Sequence, residues 1–158
     1  MSVFERRSLG TPDVDIASRL HCAAFTPLGE RGWTHQEMAG LLASPGVSGL
    51  LLLSDEREVA MALWRVASDE AELLTIAVDG GHRRQGAGRV LLDAAIEAAR
   101  DAGASQLFLE VGADNRAACA LYEQMAFGVV GRRAAYYQRG AGPKADALVM
   151  RLALMPGG

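Results

Sequence analysis

The chain has 158 residues, half of them hydrophobic, with 16 basic and 19 acidic side chains and a formal net charge of −3. That length suits one domain with a core of its own, 1–158, and the lack of a basic stripe argues against a direct nucleic-acid partner. The longest apolar run, 47–53, is too short to span a bilayer, and Glu5, Arg6 and Arg7 stand where a signal peptide would need apolar residues.

The expectation is therefore a cytoplasmic protein without a membrane anchor. His21, His35 and His82 are scattered, and Cys22 and Cys119 lie far apart. No metal-ligand spacing is present, so the cysteines read as small buried thiols.

Thr11-Pro12 reads as a cap and first helical residue, with Ile16, Leu20 and Ala24 at helical spacing behind it. Thr34-His35-Gln36-Glu37 has the form of a capping box and predicts a second helix through Leu42, ended by Ser44-Pro45-Gly46. Three apolar runs follow, 47–54, 59–66 and 72–78, separated by Asp55-Glu56-Arg57 and Ser68-Asp69-Glu70. They predict an antiparallel meander. Next comes a loop rich in Gly and Arg, 79–88, then a helix with Val90, Leu91, Ala94, Ala95 and Ala98 on its apolar side. The strand 106–111, the helix 115–125 and the strands 127–137 and 145–154 complete an order of βααβββαβαββ. The central βαβ unit should be parallel and the rest antiparallel.

A strand, a glycine-rich turn and a helix start make an anion site. The first helical N–H groups lack intrahelical partners, and the helix dipole adds about half a positive charge. Gly86 and Gly88 would let a diphosphate approach the backbone, and Arg83, Arg84 and Arg89 add donors. A solvated loop and a dinucleotide site compete with this reading. Against the second, Leu91 stands where a third glycine belongs, and only one βαβ unit exists. A phosphate loop of the Gly-Lys-Ser/Thr type is absent.

Arg83-Arg84-Gln85-Gly86-Ala87-Gly88 resembles the Gln/Arg-x-x-Gly-x-Gly/Ala signature of the GNAT acetyltransferase superfamily. Leu107-Phe108-Leu109-Glu110-Val111, Asp114-Asn115-Arg116-Ala117-Ala118 and Leu121-Tyr122-Glu123 tighten the likeness, as do Tyr136-Tyr137 and 146–150. These segments are similar to the bacterial ribosomal-protein-alanine N-acetyltransferases, over about 71–150. The resemblance implies an α/β fold, a central mixed and mostly antiparallel sheet flanked by helices. It implies acetyl-CoA as co-substrate, lying where the strand of Ile76, Ala77 and Val78 splays from the strand of Glu110. Arg83 to Arg89, including Gln85 and Ala87, together with Asn115, would bind it. It also implies a primary amine as acceptor, in particular a protein N-terminus, placed near Tyr136, Tyr137 and the helix after Thr34. An acceptor on a small molecule or a lysine side chain, and a non-catalytic acetyl-CoA sensor, stand as alternatives.

The chemistry sets its own demands. An amine must be neutral to attack a thioester, so something must take its proton. Glu110 ends an otherwise apolar strand, where partial burial would make it a better base; by resemblance it is the general base. Tyr122 lies seven residues after Asn115, on one face of the same helix; by resemblance it is the general acid for the departing thiolate. The likeness is looser on the acceptor side. Gly112 stands where an arginine commonly follows Leu-Glu-Val, Gln138 replaces a proline, Ala134-Ala135 replace Arg-Asn, and Ala126 replaces a glycine.

Overall fold

Short polar turns and alternating apolar residues produce a seven-stranded sheet in the computed structural model, which describes residues 3–154. β1 (Glu5–Ser8) leads to a single 3₁₀ turn at Thr11–Asp13, where helix was expected from Pro12. The Asp13 carboxylate accepts the Gly10 amide N–H at 3.0 Å, and α1 (Val14–Phe25) begins only after it. α2 (His35–Ala43) opens on the expected capping box: Glu37 N–H donates to Thr34 Oγ1 and Thr34 N–H to Glu37 Oε1, both at 3.1 Å.

β2 (Val47–Ser54), β3 (Arg57–Ala67) and β4 (Glu70–Val78) form the antiparallel meander. α3 (Ala87–Asp101) then crosses over to β5 (Gln106–Gly112), which pairs parallel to β4. α4 (Arg116–Gln124), β6 (Gly128–Tyr137) and β7 (Ala145–Ala153) follow, and β7 inserts between β5 and β6. The sheet order is β1-β2-β3-β4-β5-β7-β6.

Both faces of the sheet are covered. Leu52, Ala62, Trp64, Leu73, Leu107, Leu109 and Met150 pack against Leu91, Leu92 and Ala95 of α3. Leu51, Leu53, Met61, Leu63 and Ala77 pack against Ala17 and Leu20 of α1 and Met38 of α2. β4 changes face within itself. Leu63 of β3 pairs with Thr75 and Trp64 with Leu73, so Leu74 is an extra residue, a β-bulge. Leu73 therefore belongs to the α3 side while Ala77 belongs to the α1–α2 side.

The bulge sits where the sheet opens. β4 and β5 pair only from Glu70–Leu73 against Gln106–Leu109. Beyond that point β4 stays beside β3 to Val78 and β5 stays beside β7 to Gly112. The facing edges of 74–78 and 110–112 have no strand between them, as the expected splay requires. Among the described residues, no helix is long and apolar enough to cross a membrane.

Candidate active site

The loop after β4 reaches α3 through two left-handed residues, Arg84 (φ 64°) and Gly86 (φ 84°). Gly86 is the N-cap of α3, and its carbonyl accepts the Val90 N–H at 3.0 Å. The N–H groups of Ala87, Gly88 and Arg89 thus precede the first helical bond and carry the positive end of the dipole. A Cβ at Gly86 would meet nothing within 4 Å, so the glycine serves the backbone angle. At Gly88 a Cβ would come 3.1 Å from Leu121 Cδ2, so this glycine also lets α3 and α4 approach. Arg83, Arg84 and Arg89 are exposed. Among the described residues none of the three forms an ion pair with a carboxylate. Amides at a helix start, exposed guanidiniums and a left-handed glycine fit a diphosphate.

A cavity of about 770 Å³ runs from this loop into the gap between β4 and β5. Ile76 and Val78 line it, but Ala77 points away into the α1–α2 core. Arg83, Arg84, Gly86, Ala87, Gly88 and Arg89 form one end; Gln85 is exposed and is not part of the wall. Asn115 lines the cavity and caps α4 by accepting the Ala118 N–H at 3.3 Å. The unpaired edges of β4 and β5 offer backbone donors and acceptors to an extended chain with amides of its own, which fits the arm of acetyl-CoA.

Strand alternation separates the two candidate proton carriers. Leu107, Leu109 and Val111 face α3 and α4, so Glu110 faces the α1–α2 side. It is exposed where partial burial was expected, because the sheet has parted there. Its Oε1 accepts a hydrogen bond from the Tyr137 hydroxyl at 3.0 Å. Burial, and then the nearby Glu110 carboxylate, raise the Tyr137 phenol above its ordinary value. Tyr122 enters the cavity from the other face. It is buried, its ring tilted against Phe127 at 5.8 Å, and desolvation holds its phenol above the ordinary value. Tyr136 lies at the mouth, 52% exposed, with the Arg133 guanidinium 5.1 Å over its ring.

The helix after Thr34, expected beside the acceptor together with Tyr136 and Tyr137, does not reach the cavity wall. That side is lined by His21, Ala24 and Phe25 of α1 and by Glu30, Arg31 and Trp33 of the loop after it, and no described residue of α2 lines it. His21 lies flat between Phe25 and Trp33, with ring centroids at 4.4 and 4.1 Å. Its Nδ1 accepts the Trp33 N–H at 3.1 Å, and burial lowers its pKa to about 4. Cys22 and Cys119 are free and half-buried, more open than expected.

Two further residues, Thr75 in the cavity wall and Arg139 beside it, escaped the sequence. Thr75 lines the cavity with its hydroxyl buried and, among the described residues, without a hydrogen-bond partner. Arg139 grips Asp114 through two hydrogen bonds, Nε to Oδ2 at 2.8 Å and Nη2 to Oδ1 at 2.9 Å. Neither Thr75 nor Arg139 carries a local motif; Asp114 lies in the segment 114–118 already singled out, and Gly112, beside the pair, stood out as a departure.

The acetyltransferase (GNAT) family profile matches residues 16–127. A [ribosomal protein bS18]-alanine N-acetyltransferase of Salmonella typhimurium is 43% identical over 103 residues, 65% of this chain and 69% of that protein. Its counterpart in Escherichia coli K12 is 42% identical over 101 residues, 64% of this chain and 68% of that protein. The crystal structure of the ribosomal-protein-S18-alanine N-acetyltransferase from Escherichia coli superposes with a TM-score of 0.88 at 32% identity, covering 99% of this chain and 97% of that one. A match this broad, laid over a parted sheet and a glycine turn into α3, makes the chain a member of the GNAT acetyltransferase family, an enzyme that transfers the acetyl group of acetyl-CoA to a primary amine.

Proposed function

We propose that this enzyme acetylates the α-amine of a protein N-terminus, with Glu110 as base and Tyr122 as donor to the leaving sulfur. The observation that carries the reading is the place of Glu110, on the last stretch of β5 where pairing with β4 ends, its carboxylate held by the Tyr137 hydroxyl. The acceptor named for the bacterial relatives is an alanine of ribosomal protein bS18. We extend that class to this chain: an N-terminal alanine of a ribosomal protein, met in the cytoplasm where ribosomes are built.

Bound acetyl-CoA supplies an acetyl group already activated as a thioester. The amides at the start of α3, with Arg83, Arg84 and Arg89, hold its diphosphate, and the open edge of β4 pairs with its arm. Glu110 removes a proton from the amine, directly or through one water. An α-amine, at about 7.7–8.0, gives up that proton far more readily than a lysine at about 10.4, which suits an exposed carboxylate. Tyr122 stays neutral because desolvation disfavours its phenolate, so it works as a hydrogen-bond donor to the sulfur from the opposite face. Tyr136 and Tyr137 flank the amine's entry. The rest of the catalysis is orientation.

The test is release of free thiol from acetyl-CoA with peptides beginning Ala, Ser, Met or Gly, each also made with a blocked N-terminus and an internal lysine. Turnover of the Ala peptide and none of its blocked form is expected. Preference for the lysine, a polyamine or an aminoglycoside would reassign the acceptor. In the same assay Glu110→Gln should lose at least about 100-fold in turnover, while calorimetry finds acetyl-CoA binding near wild type. Unchanged turnover would remove Glu110 from the base role.

A further inference from the structure

We propose that Arg139 is a positioning residue for the Tyr137–Glu110 pair, and that Gly112 is the space it requires. The Arg139 side chain is only 10% exposed although it sits in the connection between β6 and β7. Three groups from three segments hold it. Asp114, in the loop after β5, takes the two-pronged bond. Glu30, in the loop after α1, lies 3.3 Å from Nη1, within ion-pair reach though not aligned for a hydrogen bond. The Tyr137 ring lies 4.9 Å beneath the guanidinium carbon.

These contacts form two rungs between the same two segments. Glu110 and Asp114 belong to the end of β5 and its loop; Tyr137 and Arg139 belong to the end of β6 and its loop. One rung is the hydrogen bond from Tyr137 to Glu110, the other the fork from Arg139 to Asp114. The flat guanidinium joins them by covering the Tyr137 ring, which sets where the phenol oxygen points. Gly29 packs against the Arg139 backbone, where a Cβ would approach to 3.3 Å, so the α1 side closes on the same residue.

Gly112 makes this possible. A Cβ there would stand 2.3 Å from Arg139 Nη2 and 2.7 Å from Asp114 Oδ1. A side chain at 112 and the guanidinium of Arg139 compete for one volume. The arginine that commonly follows Leu-Glu-Val in similar sequences would fill it from β5; here the charge arrives from the β6–β7 connection.

The proposal rests on Glu110 acting at the acceptor amine. The test compares Arg139→Ala, Tyr137→Phe, their double variant and Gly112→Ala, using acetyl-transfer kinetics with the amine that the wild type turns over, plus thermal melts. Arg139→Ala should raise the acceptor KM about tenfold and leave the acetyl-CoA KM within about twofold. Gly112→Ala should reproduce this, and Arg139→Lys should not restore it, since an ammonium offers neither the fork nor the flat face. Added to Tyr137→Phe, Arg139→Ala should cost less than about twofold, because both act through one contact. Full multiplication of the two losses, a Tyr137→Phe enzyme equal to wild type, or a loss of melting temperature alone would overturn the proposal. The coupling is a ratio between variants, so it is read with any amine acceptor, whereas Glu110→Gln alone decides the base.

Discussion

Thr75 lies just past the bulge in β4, 7% exposed, with a hydroxyl that has no hydrogen-bond partner among the described residues. Such a group costs about 1–3 kcal/mol when buried. Thr75→Val keeps the branched shape and removes the cost. Urea unfolding should find the variant more stable by about 1 kcal/mol, with melting about 2–4 °C higher; a loss of stability would mean that the hydroxyl is satisfied in solution. The residues that carry chemistry divide by how local their signal is. Glu110 was legible because it breaks an apolar strand, and Asn115 because it stands in the segment 114–118 that carries the resemblance. The exposure of Glu110 was not legible: it depends on where β4 leaves β5, and the residues of β5 alone contain nothing of that. Ala126 takes the left-handed φ of 74° for which a glycine is suited, so that departure in sequence is a strained position in the fold.

At the scale of elements, the βαβ unit was readable from period and turn chemistry. β4 is apolar and bounded by turns, α3 has a clean apolar face, and a parallel pair needs such a crossover. The misreadings occur at element ends. Thr11-Pro12 forms a 3₁₀ turn because the Asp13 carboxylate caps Gly10, delaying α1 to Val14. Gly86 and Gly88 looked alike in sequence, yet one holds a left-handed angle and the other admits Leu121. That difference yields a prediction. Gly86→Ala forces a Cβ into φ 84°, a strain of about 1–2 kcal/mol, and should turn the amides of 87–89 off the diphosphate. Calorimetry should find acetyl-CoA binding weakened about tenfold, as 1.4 kcal/mol of lost binding would give. Unaltered affinity would show that the cradle lies elsewhere.

Across the whole molecule, stability should depend on pH through the clamp that joins α1 to the loop before α2. His21 is 4% exposed, stacked between Phe25 and Trp33, and burial lowers its pKa to about 4, partly opposed by Glu37. In the unfolded chain it titrates near 6.5. Between about 4 and 6.5 the unfolded state therefore binds a proton that the folded state refuses. The contribution is complete above pH 6.5 and fades as pH falls toward 4, by at most about 1.4 kcal/mol per pH unit. Urea unfolding from pH 4.5 to 7.5 should find this slope reduced in His21→Phe, which keeps the stacking and cannot take a proton. Equal slopes in the two proteins would mean that His21 is open to solvent.

The order of elements, the parallel unit, the glycine turn into α3 and the carboxylate at the end of β5 were determined by the sequence itself, since each rests on neighbours within a few residues or on a regular period. The gap between β4 and β5, the outward turn of Glu110, and the grip of Arg139 on Asp114 and Glu30 were decided only by the tertiary structure. Their partners stand 25 or more residues apart along the chain. Which of them meet depends on a one-residue bulge and on strand order, and these shift side chains between faces without altering any local pattern.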